Sequence, residues 1–458
     1  MERHQSLLES HCRRQLNEPL ESIELTRMGM PPVKWTGKLT SRLDGQIVIV
    51  LETNTRLWGL LDDGESGVIV PNERLFCLEA RTAKGMRMQA VGIYPSAPHI
   101  SLNYAKLQFV PQEITLWSET ALPDSPWVTG AITRFDENGA CRNSERIAWP
   151  PVFGSEATWH EWYCLQFDQT SFGLSKKRDD FCRFAVWTDT QPRHETLFAQ
   201  AEAFLYALGF RIGQRVNWLA YTRVKSGRLE TILAKPIPPR SATQHSPLPS
   251  DIGDDDEETL LRRAYEFFLL EKNYPVINQL GMFWDATDNF LPVQSLVAAT
   301  VIEGLADFIK QSTQDSEAEE RFARFKDQLN AHLIRNARDL VVTDGAKKDC
   351  AFLTKIRKVV QSTQLLSLSE KVRLAAQIAK IPLQGTEVRA WNKMRNRIAH
   401  GDFSPGPLST SLVQIQSQQL DCAANIINKL VLGLIGYGGV FTDFSSPGWP
   451  ARSFVRTV

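Results

Sequence analysis

The sequence predicts an α+β multidomain protein: a β-rich N-terminal domain followed by an all-α bundle. Hydrophobic residues alternate in short runs before residue 235, and they recur every three to four positions after residue 258. An unpatterned stretch rich in proline, small polar and acidic residues separates the two textures. With 458 residues, 43% apolar and 23% charged, the chain can form two or three domains with ordinary cores.

The first half reads as strands joined by turns. Residues 38–52, KLTSRLDGQIVIVLE, place Asp44-Gly45 between two short runs, the second rich in Ile and Val, which is the pattern of a hairpin. Similar runs follow at 67–70, 75–79, 88–94, 132–135 and 181–188. Nine tryptophans fall in this half, and they read as core fillers and sheet edges. A helix is expected over 194–209, with Leu197, Ala201, Phe204, Leu205 and Leu208 on one side and Gly209 as its cap. The domain therefore spans 1–235, a length that permits one domain or two.

Residues 236–258 form the linker. Its acidic end, Asp254 to Glu258, is read as solvated charge at the start of the next helix rather than as a metal site. Over 259–458 the pattern predicts helices at 259–270, 292–310, 316–342, 349–361, 368–379, 385–400 and 409–434. No repeat of 20 to 50 residues is expected in either half.

Composition narrows function. Fifty-two basic residues balance 52 acidic ones, so the chain as a whole is not a polyanion binder, although a local basic face remains open. Neither a secretory signal nor a membrane-spanning helix is read, and a cytoplasmic location is expected. Seven cysteines without a Cys-x-x-Cys pair point to reduced thiols rather than a disulfide framework or zinc site. The signatures of phosphate loops, nucleophile elbows, zincins and dinucleotide folds are missing. Gly37-Lys38-Leu39-Thr40 mimics the end of a phosphate loop but sits in the hairpin, and His160-Glu161 has no second histidine four residues on.

What remains is WNKMRNRIAHGDF at 391–403. Asn396 and His400 are four apart and share a helix face, with Arg395 on the neighbouring face, so an arginine, an amide and an imidazole can border one pocket. Gly401 is the expected cap, which leaves His400 in the last turn, where the helix dipole favours imidazolium. Histidine is the side chain suited to moving protons near neutral pH. From Lys347 to Arg397 there are twelve basic and three acidic residues, a net charge of +9. Spacing alone weighs this reading level with a plain one, in which His400 caps its helix, Arg395 pairs with a carboxylate and the other cations are solvated.

The Arg-Asn-x-x-x-His string, in the penultimate helix of a C-terminal bundle, resembles the motif of HEPN ribonucleases. The segment 292–310, with Ile-Glu-Gly-Leu at 302–305, resembles an earlier helix of HEPN proteins of the ApeA kind, and the run from Trp35 resembles the domain that precedes their HEPN domain. The resemblance implies a metal-independent endoribonuclease of bacterial anti-phage defence, acting by abortive infection on cellular RNA, tRNA in particular, with no cofactor. It assigns Arg395, His400 and Asn396 to catalysis, and Arg397, Lys393 and Arg389 to RNA binding. It further implies a homodimer or higher homo-oligomer, no membrane partner, and a first domain that senses a phage-derived trigger. Glu303 is costly inside its apolar stretch unless paired, and Arg395 is an available partner. It is read either as fixing the Arg395 fork, as a structural ion pair, or as exposed at a helix edge. Two alternatives remain: a HEPN module that binds RNA or protein without cleaving, and a structural partner in a defence complex.

Overall fold

A computed structural model of the chain describes residues 16–27, 33–42, 46–54, 75–95, 99–101, 104–120, 127–133, 162–176, 181–188, 194–234, 245–249, 252–287, 289–311, 323–332, 335, 355, 367–399 and 410–454. The chain divides into two compact units, Met1–Glu271 and Lys272–Val458. Strands fill the first and helices the second, the α+β arrangement expected.

Among the described residues, the first unit holds one sheet of fourteen strands, all paired antiparallel. In chain order they are β1 (Asn17–Thr26), β2 (Thr36–Ser41), β3 (Ile47–Thr53), β4 (Phe76–Thr82), β5 (Arg87–Ile93), β6 (His99–Ser101), β7 (Tyr104–Phe109), β8 (Glu113–Glu119), β9 (Trp127–Thr133), β10 (Trp162–Phe167), β11 (Thr170–Lys176), β12 (Phe181–Thr188), β13 (Trp218–Lys225) and β14 (Arg228–Ala234). Alternation sets the buried face: in β4, Phe76, Leu78 and Ala80 point inward while Glu79 and Arg81 face water. The spatial order is β10-β11-β12-β9-β13-β14-β8-β5-β4-β1-β2-β3-β7-β6, so β8 joins the two ends of the sheet through β5 and β14. The described strands between Asn17 and Ala234 thus share one continuous sheet.

Gly37 pairs with Leu51 inside that sheet, and a Cβ there would meet Leu51 and the Val50 carbonyl at about 2.5 Å. The apparent phosphate-loop ending is therefore strand, with glycine required by close packing. The hairpin turn at Asp44-Gly45 and the run 67–70 lie outside the described residues. Trp35, Trp127 and Trp218 are buried, as core fillers should be.

Helix α1 (His194–Ile212) places Phe204 flat against Phe172, ring centroids 4.3 Å apart, in an aromatic layer with Phe167 and Phe184. It does not end at Gly209 as expected. The next turn is apolar and packs, and Gly213 at φ +75° follows it. Helix α2 (Asp254–Phe268) begins five residues earlier than predicted and packs on α1 within the first unit.

The acidic run is only partly a solvated cap. Asp254, Asp255 and Asp256 lie in the first turn, but Glu257 is buried and takes a 2.8 Å ion pair from Arg211 Nε. Arg211 NH1 also donates to Ser246 Oγ at 3.0 Å. Removing one partner strands a buried charge, so Arg211→Ala is expected to cost about 3–5 kcal/mol. Urea unfolding followed by tryptophan fluorescence measures it; a loss under about 1 kcal/mol would show the pair to be dispensable.

The second unit contains α3 (Tyr274–Ala286), α4 (Leu291–Gln311), α5 (Leu368–Ile378), α6 (Gly385–Ala399) and α7 (Thr410–Leu434). Residues 323–332 are helical within the predicted 316–342; the rest of that span, apart from 335, and 349–361, apart from Lys355, lie outside the described residues. The bundle is not all-α. Strands β15 (Val440–Thr442) and β16 (Ala451–Ser453) form a small antiparallel sheet, its Phe441 ring edge-on to Phe454. The sequence reading also missed α3, where Pro275 and Gly281 read as breakers. Pro275 sits in the first turn, where no N–H partner is needed, and Gly281 is buried.

By length and composition α4 could cross a membrane, contrary to the expectation that no helix would. Its apolar residues instead pack against α3, α5, α6 and α7. That environment is what a bundle's central helix requires.

Candidate functional site

The motif helix α6 carries two functional surfaces. Val388, Trp391 and Met394 recur on one side and are buried, which turns Arg389, Lys393 and Asn396 outward. Its start is fixed by Glu387, whose Oε2 accepts the Gln384 N–H at 2.7 Å, the reach-back arm of a capping box.

Arg395 stands at the edge between the two surfaces. Its Nε donates to Glu303 Oε1 of α4 at 2.9 Å, and both side chains are about one-third exposed. The pair sets aside the reading of Glu303 as merely exposed at a helix edge and is common to the other two. Arg395 NH1 also makes a long 3.4 Å contact to Asn396 Oδ1. With Nε engaged by Glu303 and NH1 only weakly by Asn396, the guanidinium keeps donor capacity for an incoming anion. His400 lies outside the described residues, as does Gly401; the described helix stops at Ala399. Of the Arg, Asn and His expected to meet, the structure brings together Arg395 and Asn396.

Arg389, Lys393 and Arg397 make no ion pair among the described residues. Arg397 differs from the other two in being half-buried, with NH1 shielded from solvent and without an acceptor. Elsewhere in the basic segment Lys371 is paired with Asp307 of α4 at 3.3 Å. Arg373 and Lys380 are exposed, and Lys347, Lys348, Arg357 and Lys358 lie outside the described residues.

Behind the helix lies a polar core that sequence reasoning missed. Glu387, the only acidic residue of α6, is buried, and Lys429 Nζ of α7 contacts its Oε1 at 2.7 Å. Asn425 Nδ2 donates to the same Oε1 at 2.6 Å and to Asp443 Oδ1 at 3.1 Å. Asp443 also accepts from the Ser445 and Ser446 hydroxyls and pairs with Arg452 Nε at 2.8 Å. Burial pushes the Asp443 carboxyl up, but those hydroxyls and the Lys429 charge outweigh it and hold it below the usual aspartate value. Burial, then the nearby carboxylates, push the adjacent Cys422 thiol up to about 11. A thiol so displaced stays protonated at neutral pH and is a poor nucleophile. Cys77 and Cys422 are free thiols, and no cluster of metal-ligating side chains occurs among the described residues.

The consequence is electrostatic. Because Lys429 neutralises Glu387 inside, the charges that α6 turns to solvent are all positive, and among the described residues Glu303 is the acid paired with one of them. Such a surface suits a polyanion whose phosphates must be held at fixed positions. No protein-family model, no curated protein and no solved structure matches the chain.

Proposed function

We propose that the chain is a metal-independent endoribonuclease of the HEPN kind, acting in anti-phage defence by abortive infection and cleaving cellular RNA, with tRNA the first candidate. The observation that carries this reading is Arg395: its Nε is anchored by Glu303, its side chain is one-third exposed, and it stands on a helix whose outward charges are cationic. A guanidinium so held matches a phosphate.

In this mechanism RNA supplies the nucleophile. A general base takes the proton of the 2′-OH, O2′ attacks phosphorus, the P–O5′ bond breaks, and a general acid protonates the leaving O5′. The products are a 2′,3′-cyclic phosphate and a 5′-hydroxyl. His400 fills one of the two proton-transfer roles, and the same histidine of a second copy fills the other in the homodimer this reading entails. Arg395 stabilises charge on the phosphate, and Asn396 orients the phosphate or the imidazole. Lys393, Arg389 and Arg397 hold flanking phosphates. The reading places the protein in the cytoplasm, with the sheet-bearing unit as the sensor of the trigger.

The test incubates wild type, Arg395→Ala and His400→Ala with total tRNA in EDTA and resolves fragments and their ends on a gel. Cleavage by wild type alone, leaving cyclic-phosphate ends, is expected. Cleavage that survives His400→Ala would remove the proposed mechanism. If no protein cleaves even in extract from infected cells, the chain is a binding module.

A further inference from the structure

The first unit carries an acidic cluster on one face of its sheet. Tyr221 of β13 pairs with Ile232 of β14, and Ile232 pairs with Thr115 of β8, so the three side chains share a face. Two residues beyond Tyr221 on that face, Arg223 stands opposite Glu230 and bonds it, Nε to Oε2 at 2.9 Å. Two residues before Thr115, Glu113 stands on the same face. Helix α1 lies against it. The half-buried Phe198 ring is 4.9 Å from that of Tyr221, and Glu202 follows Phe198 one turn later on the same side of the helix.

Tyr221 is 7% exposed, and among the described residues its hydroxyl has no hydrogen-bond partner, yet the oxygen is not sealed from solvent. Burial first, then the charges of Glu113, Glu202 and Glu230, push this phenol well above the usual tyrosine value, with Arg223 working against them. Such influence fades beyond about 10 Å, so the three carboxylates lie around the hydroxyl. Burial raises Glu202 with no cation to offset it, and raises Glu113 against a partial offset from Arg223. Among the described residues neither carboxylate makes an ion pair or a hydrogen bond, and Arg223 bonds Glu230 alone. Three acids thus face one guanidinium, and two of them lose hydration without a partner. A cation would return what they lose. It is not a lone metal ion, because no three metal-ligating side chains among the described residues gather within reach of one. Glu113 and Tyr221 stand two strands apart, about 10 Å across the sheet, and aromatic rings line the space between α1 and β13. Spaced carboxylates, a phenolic oxygen and aromatic walls together suit a hydrocarbon chain bearing more than one ammonium group.

We propose that Glu113, Glu202 and Tyr221 form a binding site for an aliphatic polyammonium group, supplied by a free polyamine or by neighbouring lysines of a polypeptide. Ammonium heads bond the two carboxylates and the phenolic oxygen, and Phe198 packs on the methylenes between them. The site belongs to the sheet-bearing unit and does not rest on the ribonuclease reading. It gives that unit a ligand opposite in charge to the one α6 attracts. Because Glu→Gln keeps the shape and removes a partly dehydrated charge, Glu113→Gln/Glu202→Gln should melt at or above the wild-type temperature.

The experiment titrates the full chain calorimetrically with spermidine, with a blocked Lys-Gly-Lys peptide and with magnesium chloride. Wild type is expected to bind spermidine or the peptide at least about ten-fold more tightly than Glu113→Gln/Glu202→Gln does. Glu21→Gln/Glu24→Gln removes the same charge from exposed positions of β1 and should bind as wild type does. Tyr221→Phe should weaken binding by about three- to ten-fold, the share of one hydrogen bond. A preference for spermidine assigns the site to free polyamines, and a preference for the peptide assigns it to the lysines of a partner chain. Wild type that binds neither probe would overturn the proposal, as would equal weakening by the charge-matched variant. Magnesium binding as tight as that of spermidine, and lost in Glu113→Gln/Glu202→Gln, would make the site one for metal and overturn it too. A large fall in melting temperature of that variant would overturn it by showing that the two acids serve the fold.

Discussion

Lys429→Met is expected to lower the stability of the second unit by about 3–5 kcal/mol, because it leaves the Glu387 carboxylate buried without its counter-ion. Lys429 is 2% exposed and Glu387 1%, so water cannot take over the lost partner. Adding Glu387→Gln removes the stranded charge and keeps one acceptor oxygen, which can serve Asn425 Nδ2 or the Gln384 N–H but not both. The double variant should therefore recover more than half of the loss, a coupling that a double-mutant cycle in urea reads directly. Equal losses in single and double variants would mean that packing of the lysine stem, not charge, carries the contribution. The adjoining Asp443 adds a pH dependence. Its folded pKa is held below the unfolded value, so its contribution is present at neutral pH and is lost as pH falls through the depressed pKa. Asp443→Asn should accordingly destabilise the protein at pH 7 and change little once wild-type Asp443 is itself protonated.

Arg395→Lys is expected to reduce tRNA cleavage by roughly 10²- to 10³-fold, although the charge is retained. Lysine offers a point charge where the proposed mechanism needs one edge on Glu303 and another on phosphate. Glu303→Ala frees the guanidinium without removing it, and a smaller loss is expected, about ten-fold and mainly in kcat, since orientation rather than charge is disturbed. Single-turnover cleavage with saturating enzyme separates the two effects. Wild-type rates for Glu303→Ala would reduce the pair to a surface contact, and wild-type rates for Arg395→Lys would show that any cation suffices.

The second prediction uses a residue the sequence exposed and the first uses residues it hid, for a physical reason. Glu303 interrupts an apolar helix, so the cost of burying a carboxylate announced a partner, and Arg395 was the cation at hand. Asn425 and Lys429 interrupt the apolar end of α7 in the same way. Their partners come from the first turn of α6 and from residues past α7, and sequence distance conceals such pairings. Glu387 entered the sequence reading only through the net charge of its segment, because nothing local to a first-turn acid signals burial. Glu257 was misread for the same reason. Periodicity located α4, α6 and α7 to within one residue at each described end, because their apolar stripes are long. It missed α3, whose Pro275 and Gly281 look like punctuation, and the three-residue strands β15 and β16, which are too short to show a period.

The strand order of the first unit has a kinetic consequence. One side of β8 pairs with β14, so Glu119 waits for Arg228, about a hundred residues later, before its backbone is satisfied. The sheet cannot close in the sequence in which it is synthesised. Assembly of this unit is expected to be slow, governed by loop closure rather than by local preference. During that interval β8 presents an unpaired edge to neighbouring chains, and growth temperature and chaperone supply then decide how much of the protein reaches its folded state.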